Sequence, residues 1–335
     1  MSLTLADMLA ARARVAGTAD RTPLVPSPFL SQRAGREVLL KLESMQATGA
    51  FKLRGATNAI AAVPADAAGV TCCSTGNHGR AVAYAARRRG MRAVICMSAL
   101  VPQAKVDGIR ALGAEVRIVG RSQDDAQVEA SRLAREEGFA EIPPFDHPDV
   151  IAGQGTIAFE LLEARPDIAT ILVPLSGGGL AAGVAFAARR LKPGIRVIGI
   201  SMDRGAAMHE SLRAGRPVEV EEVASLADSL GGGIGLANAH SFALCRDNLD
   251  ATILLTEDTI RRGMQALYFE DRLVTEGAAA VGAAALLAGA VELAAGPVAL
   301  IVTGRNVDMT AFTDTVTGRD IRLGDITLEG RPYAA

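Results

Sequence analysis

The chain has 335 residues, 49% of them apolar, which is enough to bury a large core and to divide into two lobes. Its 35 lysines and arginines nearly balance its 37 aspartates and glutamates, so a net charge of −2 offers no field that would gather nucleic acid or an anionic membrane. Small-molecule chemistry is the class left standing.

Along the chain, Met1 to Arg14 carries charge inside its apolar stretch and lacks the unbroken core of a signal peptide, so secretion is not expected. Runs rich in Val and Ile then alternate with longer helical runs, the pattern of an α/β fold with parallel sheets and crossover helices. Strands are expected at 38–42, 70–74, 93–97 and 115–119, with helices at 77–89, 103–112 and 123–136. Cys72 and Cys73 would point to opposite faces of one strand; with Cys96 and Cys245 they lack metal-ligand spacing and read as reduced thiols of a cytoplasmic protein. Pro143-Pro144 breaks the chain, because proline neither continues a helix nor donates to a ladder. A second block follows, with strands at 170–174, 197–201, 253–256 and 298–302. Gly277 to Val291 is uncharged for too short a run, and is too rich in Ala and Gly, to span a bilayer; an interior helix is expected there.

Chemistry concentrates at strand ends. In Thr48-Gly49-Ala50-Phe51-Lys52-Leu53-Arg54-Gly55-Ala56 a lysine sits among apolar and small residues where a helix begins; desolvation would lower its pKa toward a nucleophilic amine, although alone it reads equally as a surface lysine. Ser74-Thr75-Gly76-Asn77-His78-Gly79 runs from strand into helix, where free N–H groups and hydroxyls suit a carboxylate or phosphate, or simply cap the helix. Ser176-Gly177-Gly178-Gly179-Leu180 lets successive N–H groups converge on one phosphate without the lysine of a P-loop; as a flexible turn it would be commonplace. Thr303, in Val302-Thr303-Gly304-Arg305-Asn306-Val307-Asp308, would present a neutral hydroxyl to the same sheet edge.

The ordered set FKLRGA, STGNHG, SGGGL and TGRNVD resembles the fold-type II pyridoxal phosphate enzymes, within them the threonine/serine dehydratase and serine racemase branch, from about Thr22 to about Phe312. The resemblance implies a tryptophan synthase β-like fold with two lobes, each a mainly parallel sheet flanked by helices. It implies a large cofactor-binding domain of residues 1–66 plus 146–335 and a small domain of residues 67–145. Lys52 matches the Schiff-base lysine and Phe51 lies beside the cofactor ring. Asn77 matches the partner of the ring's phenolic oxygen, and Ser176, Gly177, Gly178, Gly179 and Leu180 match the phosphate loop. Thr303 matches the hydroxyl at the pyridine nitrogen. Ser74, Thr75, Asn77 and His78 resemble the loop that receives the substrate carboxylate, with Thr75 also a catalytic candidate on the face opposite Lys52. The implied reaction is β-elimination of water from a 3-hydroxy amino acid, giving a 2-oxo acid and ammonia, by a homodimer or homotetramer.

Arg80 stands where a glutamine is usual and Arg305 where a second glycine is usual; both could select a substrate with further polar groups. That pattern is similar to the hydroxyectoine-utilisation dehydratases, which act on a 3-hydroxy amino acid with a nitrogen-bearing tail, of the 3-hydroxy-2,4-diaminobutyrate type. Serine racemase-like relatives hold a divalent cation where this chain has Ser201 and Ala207, poor ligands for a hard cation, so no metal is expected. Glu221, Asp228 and Glu276 read as surface or capping residues. An amino-acid racemase of the same fold, or a non-catalytic protein that binds a phosphate ligand, are the competing readings.

Overall fold

Val, Ile and Leu runs without polar alternation form strands covered on both faces. The structure, a computed structural model, describes residues 3–74, 76–101 and 103–334. After α1 (Leu5–Val15), β1 (Leu24–Pro26) and α2 (Pro28–Ala34) the chain enters β2 (Val38–Leu42) and goes on into α3 (Lys52–Ala62). Next come β3 (Gly69–Cys73), α4 (Asn77–Arg89), β4 (Ala93–Met97), α5 (Gln103–Ala111), β5 (Glu115–Ile118), α6 (Gln123–Glu137) and β6 (Phe139–Glu141). The chain returns through α7 (Pro148–Ala164), β7 (Thr170–Pro174), α8 (Gly179–Leu191), β8 (Arg196–Met202), α9 (Ala207–Ala214) and α10 (Ser241–Asn248). It continues with β9 (Ala251–Leu255), α11 (Glu257–Phe269), α12 (Gly277–Leu287), β10 (Val298–Val302), α13 (Met309–Thr317) and a hairpin of β11 (Ile321–Leu323) and β12 (Ile326–Leu328).

The larger sheet has the order β1-β2-β10-β7-β8-β9 and is parallel except for β1, which runs antiparallel to β2. The smaller sheet, β5-β4-β3-β6, is parallel throughout. This is the expected α/β architecture. Several elements lay below the reach of pattern reading, β6 and α1 among them. β6 is only three residues long and owes its existence to pairing with β3; α1 is a weakly amphipathic helix started by a capping box between Thr4 and Asp7.

Both faces of the larger sheet are covered. Ile171, Val173 and Val197 pack with Ile157 and Leu161 of α7 and Val184 of α8, while Leu172, Ile198 and Leu300 pack with residues of α11 and α12. α12 is buried on every side, as expected for that Ala- and Gly-rich segment, and its fit against α11 is close: a Cβ on Gly263 would come 2.7 Å from the Cβ of Ala284. Among the described residues no helix is long and apolar enough to cross a membrane. Parallel strands deliver their carboxyl ends to one edge, the place where open α/β sheets bind ligands.

Candidate active site

β2 and β10 are neighbours in register, so the loops that follow them meet. Phe51 N–H donates to Thr303 O at 3.0 Å, Arg305 N–H to Gly49 O at 3.0 Å, and Asn306 Nδ2 to Thr48 O at 2.9 Å. Gly49 sits at φ +77°, and a Cβ there would lie 2.7 Å from Asn306 Oδ1, so the turn needs glycine twice over. These bonds seat Lys52, on the first turn of α3, beside Thr303.

Lys52 Nζ donates to the Pro144 carbonyl at 2.6 Å, over the edge of the Phe51 ring. Burial lowers its pKa to about 8, against the pull of Glu276, whose negative charge favours the ammonium. A cavity of about 460 Å³ opens here, with Phe51, Lys52, Ser74, Asn77, His78, Ser176, Gly177, Gly178, Gly179, Leu180 and Thr303 in its wall. The four motifs, far apart in the chain, therefore share one cleft.

The glycine turn runs from β7 into α8, whose first-turn N–H groups have no helical acceptor. A Cβ on Gly177 would lie 2.5 Å from the Phe145 ring, and one on Gly179 2.8 Å from the Phe145 carbonyl oxygen. Ser241 Oγ donates to Gly177 O at 2.7 Å and holds the turn from behind. Thr303 is 2% exposed, and its Oγ1 has no partner among the described residues. A buried hydroxyl of this kind needs an acceptor or donor from a ligand. A desolvated lysine, a glycine cradle at a helix start and an orphan hydroxyl together fit pyridoxal 5′-phosphate.

Asn77 Oδ1 accepts from Asn306 Nδ2 at 2.6 Å, and its Nδ2 donates to both oxygens of Glu276 at 3.1 and 3.0 Å. Glu276 corrects the sequence reading. It is 4% exposed, lines the cleft and starts α12 without capping it. Burial pushes its carboxyl up to about 7, and Asp228 pushes the same way against the Asn77 bond. The signal was present: an acid leading into a helix that is wholly Gly, Ala, Val and Leu has nowhere polar to go except a cleft. Asp228 is exposed as expected, but it stands in the cleft wall with Glu222 and Ser229. Glu221 flanks a separate surface hollow.

Thr75 lies outside the described residues. Ser74 lines the cleft, its Oγ accepting from Gly76 N–H at 3.4 Å. His78 faces the Ile142 carbonyl through Nε2 at 2.7 Å, so that nitrogen carries the proton. Burial, with Lys52 nearby, lowers its pKa to about 3, and Nδ1 has no partner among the described residues. The ring therefore has no spare N–H for a carboxylate, and any anion contact at His78 falls to its backbone. Arg80 and Arg305 are not brought to the cleft: Arg80 lies against α5, where a Cβ on Gly108 would be 3.2 Å from its Nη1, and Arg305 is exposed beyond the wall. Ser201 and Ala207 are buried, and no group of three or more His, Cys, Asp or Glu suited to a metal occurs among the described residues.

Residues 15–304 match the family model described as "Pyridoxal-phosphate dependent enzyme". A putative threonine dehydratase of Sinorhizobium fredii is 55% identical over 319 residues, covering 95% of this chain and 96% of the relative. The L-threo-3-hydroxyaspartate ammonia-lyase of Saccharomyces cerevisiae is 36% identical and covers 95% of this chain and 97% of its own. Maize serine racemase superposes with a TM-score of 0.88 at 32% identity, over 94% of this chain and 97% of that one.

Proposed function

The chain belongs to the pyridoxal-phosphate dependent enzymes, and from that premise we propose that it removes water and then ammonia from a 3-hydroxy amino acid whose far end is neutral or cationic. That it is a pyridoxal phosphate-dependent ammonia-lyase follows from the relatives; the substrate is our reading. The carrying observation is the charge of the cleft. Glu222, Asp228 and Glu276 stand in its wall, and among the described residues Lys52 is its only Lys or Arg. A second substrate carboxylate would meet like charges there, whereas a nitrogen-bearing tail would meet acceptors. The 3-hydroxy-2,4-diaminobutyrate type of substrate satisfies that condition.

Pyridoxal 5′-phosphate, when bound, supplies the electron sink that makes an α-proton removable. In our reading Lys52 holds the cofactor and takes that proton, a task suited to an amine whose pKa is already near 8. The N–H groups of 176–180 would hold the phosphate, Phe51 would pack against the ring and Asn77 would meet its phenolic oxygen. Thr303 would offer the ring nitrogen a neutral hydroxyl in place of a charged partner, the kind of contact that suits elimination. Ser74 and Thr75 receive the substrate carboxylate together with the backbone of Asn77 and His78. The lobe of residues 67–145 brings that loop to the cofactor-binding lobe of residues 1–66 and 146–335.

The test is 2-oxo acid and ammonia release from L-threonine, L-serine, L-threo-3-hydroxyaspartate and a 3-hydroxy-2,4-diaminobutyrate derivative. We expect kcat/KM to be lowest for hydroxyaspartate and highest for the derivative. A preference for hydroxyaspartate overturns the charge argument, and strong threonine turnover with none on the derivative overturns the finer assignment. Chiral analysis of residual substrate separates the racemase reading.

A further inference from the structure

A second cavity, of about 370 Å³, shares no wall residue with the catalytic cleft. Its wall comes from Phe29 and Arg33 of α2, Arg261 and Arg262 of α11, and Arg331 and Tyr333 of the segment after β12. Four guanidinium groups surround one hollow, Arg261 buried in its wall and Arg33, Arg262 and Arg331 exposed around it, so their fields add on an anion that enters. Asp258 answers part of the charge, pairing with Arg261 and, at 3.6 Å, with Arg331. Arg33 and Arg262 have no salt bridge among the described residues.

The walls are held in place without spending those charges. Arg33 lies over the Phe29 ring at 5.2 Å. Tyr333 stacks on Phe269 with centroids 5.0 Å apart, and its hydroxyl donates to Glu270 Oε1 at 2.8 Å. Arg261 is the decisive residue. It is fully buried, its Nη1 donates to Arg331 O at 3.0 Å, and its Nε has no partner among the described residues. Asp258 meets its charge, but the Nε–H is a buried donor left unsatisfied, which costs the desolvation of that one group. Guanidinium forks match the oxygens of phosphates and carboxylates, and such bonds are the strong ones.

We propose that this cavity is a binding site for a small multivalent oxyanion, a phosphate ester or a polycarboxylate, distinct from the catalytic cleft. A bound oxyanion bridges α2, α11 and the segment 331–334, and so stabilises the fold by mass action.

The experiment is calorimetric titration of the holoenzyme, in which the phosphate loop is already filled, with pyrophosphate and with citrate. KCl at matched ionic strength is the control. The expected result is saturable one-site binding of one probe, pyrophosphate if the ligand is a phosphate ester and citrate if it is a polycarboxylate. The Arg33→Ala/Arg262→Ala variant should bind that probe at least about tenfold more weakly, with basal ammonia release unchanged, and Arg262→Lys alone should retain part of the affinity. Both side chains are exposed, so folding is not at stake. A non-saturating response equal to that of KCl, or unchanged affinity in the double variant, overturns the proposal.

Discussion

Two clusters of buried charge lie on either side of α3, and they are built by opposite rules. In the first, Arg54 reaches Glu43 through Nε and Nη2 at 2.8 Å each, and Glu160 through Nη1 at 2.6 Å and Nη2 at 2.9 Å. Lys41 reaches Glu160 at 2.5 Å and the Thr22 carbonyl at 2.6 Å, and Thr22 Oγ1 donates to Glu43 at 2.6 Å. In the second, two residues earlier on the same helix, Lys52 has a carbonyl for a partner, Glu276 shares one amide, and the Thr303 hydroxyl and His78 Nδ1 have none among the described residues. The first cluster is closed and fixes the helix. The second is open, and its loose ends are the places where, in our proposal, cofactor and substrate complete the structure.

The largest effect should separate them by readout. Lys52→Ala removes the group we propose as general base and cofactor anchor, so turnover should fall by at least about 10²- to 10⁴-fold and the cofactor's absorbance band should be lost. The thermal midpoint of the apo-protein should hardly move, since one bond to a carbonyl is all the folded state loses. Arg54→Met should do the reverse. It takes from Glu43 its directly bonded cation and leaves Glu160 to Lys41 alone, and should destabilise by about 3–5 kcal/mol in denaturant titration, with cofactor chemistry intact wherever the protein stays folded. If Lys52→Ala unfolds the protein, or Arg54→Met is neutral, the division fails.

The two clusters also differ in how far the sequence discloses them. Lys52 and the glycine turn were legible because their chemistry is local: a small-residue surround and three consecutive glycines are visible within a few positions. The alternation of strands and helices was legible because the core runs are apolar on both faces, and the strand bounds moved by only a residue or two. Lys41 and Glu160 lie 119 positions apart and meet only because α7 packs against α3, which no local pattern encodes. Glu276 needed the packing of α12 to be seen as buried. Arg80 and Arg305 drew attention as departures from a family pattern, yet backbone direction turns both away from the cleft.

Glu43 and Glu276 sharpen the comparison through pH. Burial pushes the Glu43 carboxyl up, but Arg54, Lys41 and Thr22 together outweigh it and hold the group below its usual 4.5, so its contribution is present above that value and is lost as pH falls through the lower folded pKa. Glu276 has the opposite sign. Its folded pKa of about 7 exceeds the unfolded 4.5, so ionising it in place costs stability that the apo-protein loses as pH rises from 4.5 to 7. Glu276→Gln should flatten that fall and leave the apo-protein more stable at pH 8 by up to about 3 kcal/mol. Denaturant titrations at pH 5 and pH 8 supply the test, and a variant as pH-sensitive as the parent argues against it.

The smallest stability effect should come from Thr303, and its smallness is the point. In a closed network, removing a hydroxyl costs about 0.5–1.5 kcal/mol, because a bond is lost. Thr303 Oγ1 makes none among the described residues, so Thr303→Ala should leave the apo-protein unchanged within about 0.5 kcal/mol, or slightly more stable. The same substitution should weaken cofactor retention, and Thr303→Ser should restore it, if the hydroxyl is the partner we propose for the ring nitrogen. Equilibrium dialysis of the cofactor and apo-protein unfolding, run on both variants, separate the two effects. A loss of apo stability with unaltered cofactor retention would place Thr303 in the scaffold and leave the open cluster without its most telling member.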